Sequence, residues 1–222
     1  MTEFVQFFAL SFSALFPLIN PLGSSLVFLG MVGITRGDVY RTLARKIAIS
    51  TALFLLAIDV AGATILRLFG ISLPVVQLAG GLVVAAMGWG LLNQKDAGPH
   101  DPAPIQTDTD ALQTRIFYPF TFPVTAGPGT LVAMLTLSAH ASKGRIVDIA
   151  MAQAGLLSGT ALMCLTVFIA YAYAPKITAK VSPSTAHGIL RVIAFVLLCI
   201  GVQIAWNGFS SLIGTLRLAP LS

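Results

Sequence analysis

The chain has 222 residues, 56% of them hydrophobic and only 9% charged, against about 25% charged in an ordinary soluble domain. So few charges cannot cover a water-facing surface, which excludes a soluble globular protein and assigns the chain to a membrane. The net charge of +5 is no argument for nucleic acid, because the basic residues sit between apolar runs, where they act as determinants of topology.

Six apolar stretches are long enough to cross a core of about 30 Å, which takes about 20 helical residues. In chain order they cover residues 4–31, 47–66, 73–92, 116–139, 149–174 and 192–216. The first follows Glu3 with no Lys or Arg ahead of it, and its apolar run far outlasts a signal peptide, so it is read as a retained span. The uncharged run from Phe4 to Thr35 is too long for one straight crossing, which predicts a helix that unwinds partway. The second stretch holds Asp59, the one acidic residue within any of the six. A carboxylate deep in a span costs about 2.5–3.5 kcal/mol on insertion scales, which makes Asp59 a candidate for ion coupling. At helical spacing it shares a face with Ala48, Ala52, Gly62 and Ala63, a small-residue stripe expected inside the bundle. The plainer alternative is a helix-end aspartate paired with Arg67.

The extended polar segment 93–115, rich in proline and aspartate, reads as a surface loop. It divides the chain into a first three-span repeat (1–94), a linker (95–115) and a second three-span repeat (116–216). Three spans per repeat force opposite orientations. The fold predicted is therefore all-α and integral to the membrane, with six transmembrane helices arranged as two inverted three-helix repeats. The face carrying Arg36, Arg41, Arg45, Lys46, Lys95, Arg115, Lys176, Lys180 and Arg191 is richer in charge than the face with Arg67, Lys143, Arg145 and Arg217. The richer face is expected in the cytoplasm, with both termini periplasmic.

Nine residues near the start, Phe16-Pro17-Leu18-Ile19-Asn20-Pro21-Leu22-Gly23-Ser24, return in altered form as Phe122-Pro123-Val124-Thr125-Ala126-Gly127-Pro128-Gly129-Thr130. Proline lacks an amide hydrogen and clashes with the preceding turn, so helices 1 and 4 are both predicted to break near the midplane. Where a helix restarts, its first amides are free and its dipole favours an anion. Where one stops, free carbonyls suit an ammonium group or a cation. The candidate substrate-binding residues are Asn20, Pro21, Gly23, Ser24, Ser25, Thr125, Gly127, Pro128, Gly129 and Thr130. In that arrangement a substrate carboxylate lies near Ser24 and Thr130, and its ammonium faces Asn20. The alternative is that the prolines merely kink two packed helices.

The Phe-Pro-x-x-Asn-Pro-x-Gly element of the first span resembles the signature of the MarC family of bacterial inner-membrane proteins. So do Ala126-Gly127-Pro128-Gly129-Thr130 and Phe69-Gly70-Ile71-Ser72 leading into Ala79-Gly80-Gly81, and the resemblance covers nearly the whole chain. It implies six spans, a bacterial inner-membrane location, proton-linked transport of small neutral amino acids such as glycine and alanine, and a layout similar to the LysE-type exporters. One departure is Ala194, where the family pattern carries glycine.

The reading is thus a secondary transporter working by alternating access, one repeat rocking against the other around the two breaks. Its expected partners are the lipid bilayer, a small neutral amino acid and protons, with further copies of the chain left open; no nucleic acid, cofactor, metal or enzymatic reaction is expected. The alternatives are an exporter of another small metabolite, a thiol-electron carrier and a non-transporting scaffold. Cys164 and Cys199, read as small buried hydrophobes, lie in spans five and six, away from both breaks.

Overall fold

The computed structural model describes residues 2–33, 35–93, 109–142, 144–180 and 183–217, all of them in helices or the turns between them. α1 (Thr2–Ile19) is followed after one residue by α2 (Pro21–Val32), and then by α3 (Gly37–Leu68) and α4 (Leu73–Leu92). After α5 (Thr109–Thr114) comes an irregular wide-turned segment, Ile116–Thr125. The chain closes with α6 (Pro128–Ala141), α7 (Ile146–Ala172), α8 (Ala174–Lys180) and α9 (Pro183–Arg217). Among the described residues, five stretches are long and apolar enough to span a membrane: Thr2–Val32, Gly37–Leu68, Leu73–Leu92, Ile146–Ala172 and Gly188–Gly214. The pair formed by Ile116–Thr125 and α6, bent by 74°, makes a sixth if it is counted as one span.

Residues 95–108 of the expected linker lie outside the described residues, as do Lys95, Lys143 and the side chains of Lys180 and Arg217. Residues 109–114, expected in that loop, instead form α5, and Leu112 beside its end is buried. α3 begins at Gly37, ten residues ahead of the expected span. Its first turns are amphipathic, burying Tyr40, Leu43, Ala44 and Ile47 while Arg41 and Arg45 stay exposed. The charges hide this turn-by-turn pattern from a simple count of apolar residues. Arg41 and Lys176 both stand over the Tyr173 ring, 5.6 and 5.8 Å from its centroid, and Lys46 donates to Gln113 at 2.7 Å. The bundle thus gathers these basic residues at one end.

The most extensive interhelical contact joins α4 to α9, and glycine makes it possible. A Cβ at Gly81 would stand 2.3 Å from the Ala205 nitrogen, and one at Gly201 would stand 2.3 Å from the Ala85 nitrogen. Gly88 abuts Leu198 and Ala194, while Gly208 abuts Leu78 and Pro74. Each contact has a counterpart 120 positions away: Leu78 answers to Leu198, Gly81 to Gly201, Ala85 to Ala205 and Gly88 to Gly208. The two helices run antiparallel and approach backbone to backbone, as small residues allow in lipid. α1 and α7 are locked similarly but run parallel, with Gly155 against the Phe4 carbonyl and Gly159 against Ser11 and the Phe8 carbonyl. Ala194, the departure from the family pattern, is fully buried against Gly88.

The core lies in the remaining bundle. At its centre Phe28 stacks on Tyr171 at 4.6 Å and meets the edges of Phe120 and Tyr40 at 5.6 and 6.2 Å. All four rings are buried, which joins α2, α3, the irregular segment and α7.

Candidate functional site

The two proline motifs adopt different backbones. In the first, Asn20 takes a left-handed conformation (φ 47°), which asparagine tolerates better than most residues. Pro21 follows at the first position of α2, where its missing amide hydrogen costs least. Asn20 also caps the new helix, its Oδ1 accepting from the Gly23 amide at 3.1 Å and its carbonyl from the Ser24 amide at 2.8 Å. The side chain expected to face a solute is therefore folded over the helix start it was meant to leave free. A Cβ on Gly23 would stand 2.2 Å from Asn20 Nδ2, so glycine is what permits this cap. The interruption leaves 18 residues in α1 and 12 in α2, about 27 and 18 Å of helix.

The second motif is disturbed over a longer stretch. Tyr118 and Phe122 are extended, as residues before proline prefer, and both of the peptide bonds that follow them are cis. The Phe120 amide reaches back to the Arg115 carbonyl at 3.3 Å, and the Ala126 amide to the Thr121 carbonyl at 2.8 Å, each closing a turn wider than an α-helical one. Hydroxyls satisfy the carbonyls these turns expose: Thr121 donates to Ile116 O at 2.9 Å and Thr125 to Phe120 O at 2.7 Å. Gly127 then precedes Pro128 at the start of α6, its carbonyl taking the Thr130 amide at 3.0 Å.

The two motifs meet at Tyr171, which the sequence does not single out. Its hydroxyl pairs with Thr125 Oγ1 at 2.8 Å, and Ser24 lies close by. Ser24 donates to the Asn20 carbonyl at 2.9 Å. Residues of both motifs thus meet at Tyr171, in a buried junction. A tyrosine inside an apolar span was the available signal, since a buried phenol needs a hydrogen-bond partner.

Pro21, Gly23, Ser24, Ser25, Thr125, Gly127, Gly129 and Thr130 are buried; Asn20 and Pro128 are half-buried. Ser25 turns back to the Leu22 carbonyl at 2.7 Å. Gly129 lies beside Leu18 of α1 and Val84 of α4, with no room for a Cβ. Thr130 Oγ1 is buried without a partner, as are Thr51 Oγ1, Asp59 Oδ1 and Gln153 Oε1. These four atoms belong to α3, α6 and α7, which share a seam, and buried groups of this kind call for water, an ion or a solute.

Asp59 stands apart from the interruptions. Its Oδ2 accepts a short bond from Gln153 Nε2, and its carbonyl accepts from Ser138 Oγ at 3.1 Å. Ser138 lies nine residues beyond Gly129 on α6, about 13 Å of helix. The carboxylate is 7% exposed and is tied to Gln153 rather than to Arg67. Cys164 is buried on α7, whereas Cys199 is exposed on α9 instead of buried as expected; neither belongs to an element carrying an interruption.

Comparison with known proteins agrees with the resemblance. The sequence matches the MarC family of integral membrane proteins over residues 5–213. It is 27% identical to the membrane protein YvbG of Bacillus subtilis, over 90% of this chain and 93% of that protein. It is likewise 27% identical to the inner membrane protein MarC of Escherichia coli O157:H7, over 97% of this chain and 99% of that protein. No solved structure matches. The match runs through both proline motifs and every span, so the chain belongs to the MarC family of integral membrane proteins.

Proposed function

We propose that this protein is a secondary transporter of small neutral amino acids across the bacterial inner membrane, working by alternating access around the two interruptions. The observation that carries the reading is the meeting of the two motifs at Tyr171: it bonds Thr125 of the second and stacks on Phe28, one helical turn beyond Ser24 of the first. Two interrupted spans in matching halves are the usual construction of a solute site in such proteins. The one-for-one correspondence between α4 and α9 and their antiparallel packing support an inverted pair of three-span repeats. The basic cluster around Tyr173 supports a cytoplasmic location for that end and periplasmic termini.

The moving parts differ from the sequence-based expectation. Helices of opposite repeats interlock through backbone contact, α4 with α9 and α1 with α7. Rocking one repeat as a unit would pull both contacts apart. The moving boundary in our reading instead separates the α4/α9 pair from the body that holds both interruptions. Asp59, with one carboxylate oxygen unpartnered inside that body, is the group assigned to proton coupling.

Uptake of labelled glycine, alanine and serine into proteoliposomes tests the proposal. Asn20→Leu combined with Gly129→Leu is expected to abolish uptake, and unchanged uptake would sink the site assignment. Proton-driven uptake that survives Asp59→Asn removes Asp59 from the mechanism. Flux of some other small metabolite with none of the amino acids replaces the substrate class.

A further inference from the structure

A cleft of about 350 Å³ lies between α1 and α6 on one side and the α4/α9 pair on the other. Its wall on α1 runs from Leu10 to Leu18, about 12 Å of helix on the N-terminal side of the interruption. Leu18 precedes Asn20 by two residues, and Ala133, on the α6 wall, is one helical turn past Gly129. The cleft therefore descends to within a turn of both motifs. Beyond them, on the other side, the rings of Phe28, Tyr40, Phe120 and Tyr171 fill the bundle. A separate cleft of about 350 Å³ lies between α3 and the start of the irregular segment, with Lys46, Phe54, Ile116 and Phe117 in its lining.

The lining has a consistent chemistry. Each of the four helices contributes one uncharged polar side chain, namely Ser13, Gln77, Thr136 and Asn207, and the rest of the wall is aliphatic with no ionisable group. Gln77 donates to Thr136 Oγ1 at 3.1 Å, and Asn207 Oδ1 accepts from Gln203 at 2.8 Å. Each amide thereby uses one of about four hydrogen-bonding positions. His140, outside the lining, is tied to the Thr136 carbonyl at 2.7 Å and is exposed.

We infer that this cleft is a water-filled vestibule by which an uncharged or zwitterionic solute reaches the two motifs, with Gln77 and Asn207 as polar guides and Leu18 and Val84 as the inner barrier over Gly129. This deepens the transport reading and rests on it. A lipid chain makes no use of four polar side chains and leaves their capacity unsatisfied in hydrocarbon. The volume suits a small molecule. A solute with net charge meets no partner that offsets its desolvation, whereas a zwitterion carries its own. The barrier follows from the glycine: the side chains nearest Gly129 are Val84 and Leu18, so both must move for a solute to touch it.

The test uses full-length protein lacking Cys164 and Cys199, reconstituted in liposomes, with single cysteines at Ala14→Cys and Ala133→Cys in the cleft. Leu82→Cys and Val202→Cys, on exposed apolar faces of α4 and α9, serve as lipid-facing controls. Reaction with a charged, membrane-impermeant methanethiosulfonate is followed by mass spectrometry beside reaction with a lipophilic maleimide. The cleft positions are expected to react with the charged reagent roughly tenfold or more faster than the controls, because a thiolate forms in water and not in hydrocarbon. Reaction with the lipophilic reagent alone identifies a lipid groove and overturns the inference. Reaction with neither identifies a sealed pocket and overturns it too. Ser13→Cys replaces either position if its protein fails to fold. Gln77→Leu with Asn207→Leu is expected to slow labelling at Ala133→Cys several-fold, and an unchanged rate removes the guide role. Millimolar glycine or alanine is expected to protect Ala133→Cys. Fast labelling that no neutral amino acid slows keeps the vestibule and overturns the amino-acid reading.

Discussion

The α4/α9 pair and the two interruptions both relate one half of the chain to the other, and they do so in opposite ways. α4 and α9 share few conspicuous residues, yet every close contact on one has its counterpart 120 positions along on the other. The proline motifs look alike in sequence, but one is a single left-handed residue and the other a ten-residue irregular segment. The difference lies in what the symmetry serves. Two antiparallel helices in contact along their length must have matching small residues, because each backbone packs directly on the other. An interruption has only to end one helix, start another and satisfy the exposed groups, and many local arrangements do that.

The largest effects should come from filling the α4/α9 contact. Gly81→Val and Gly201→Val each place a side chain against backbone that cannot yield, and are expected to destabilise the protein by about 1–3 kcal/mol. The two losses should be equal within error in thermal unfolding in detergent, whereas Gly90→Val, which has open space around it, should be near neutral. Unequal losses would break the correspondence. Asp59→Leu comes next: it leaves the buried Gln153 amide unpaired, a loss of about 1–3 kcal/mol. Asp59→Asn keeps a hydrogen-bonding partner and should cost less, so the stability of the two variants separates a structural role from the coupling role that uptake assays read.

A smaller effect tests the asymmetry of the interruptions. Gly23→Ala displaces the Asn20 cap, at a cost of about 1 kcal/mol. Gly127→Ala meets nothing closer than the Pro123 carbonyl at 3.4 Å and should change little. Equal effects would mean that the two restarts are built alike after all. The smallest change is expected for Tyr171→Phe, which keeps the ring on Phe28 and removes only the hydroxyl, costing about 1 kcal/mol or less of stability. Its flux should nevertheless change, since Thr125 loses its partner; wild-type stability with wild-type flux would detach Tyr171 from the site.

Much of this was legible from residues alone. Apolar length marked out the spans because the bilayer sets how many residues a crossing needs. Proline marked where α1 gives way to α2 and where the irregular segment leads into α6, since its missing amide acts wherever the chain goes. Asp59 stood out because charge in hydrocarbon is costly. The early start of α3 was hidden, because its apolar face is visible only once the helix turns and its charges dominate a linear reading. The Asn20 cap was hidden as well, because its bond from the Gly23 amide depends on the left-handed turn that only the backbone shows. Gln153 could be named as a polar residue but not assigned to Asp59, which lies 94 positions earlier.

By itself the sequence determined membrane class, five of the six expected apolar crossings, the family resemblance and the places where proline disturbs regular helix, all consequences of local chemistry acting on a few neighbouring residues. Only the tertiary structure decided that Tyr171 bonds Thr125 and stacks on Phe28, that α4 pairs with α9, and that a cleft lies between that pair and α1 and α6. Those outcomes depend on which helix faces meet. In lipid that is settled by close packing of small residues and by the pairing of buried hydroxyls and amides, not by a hydrophobic pattern that every span shares.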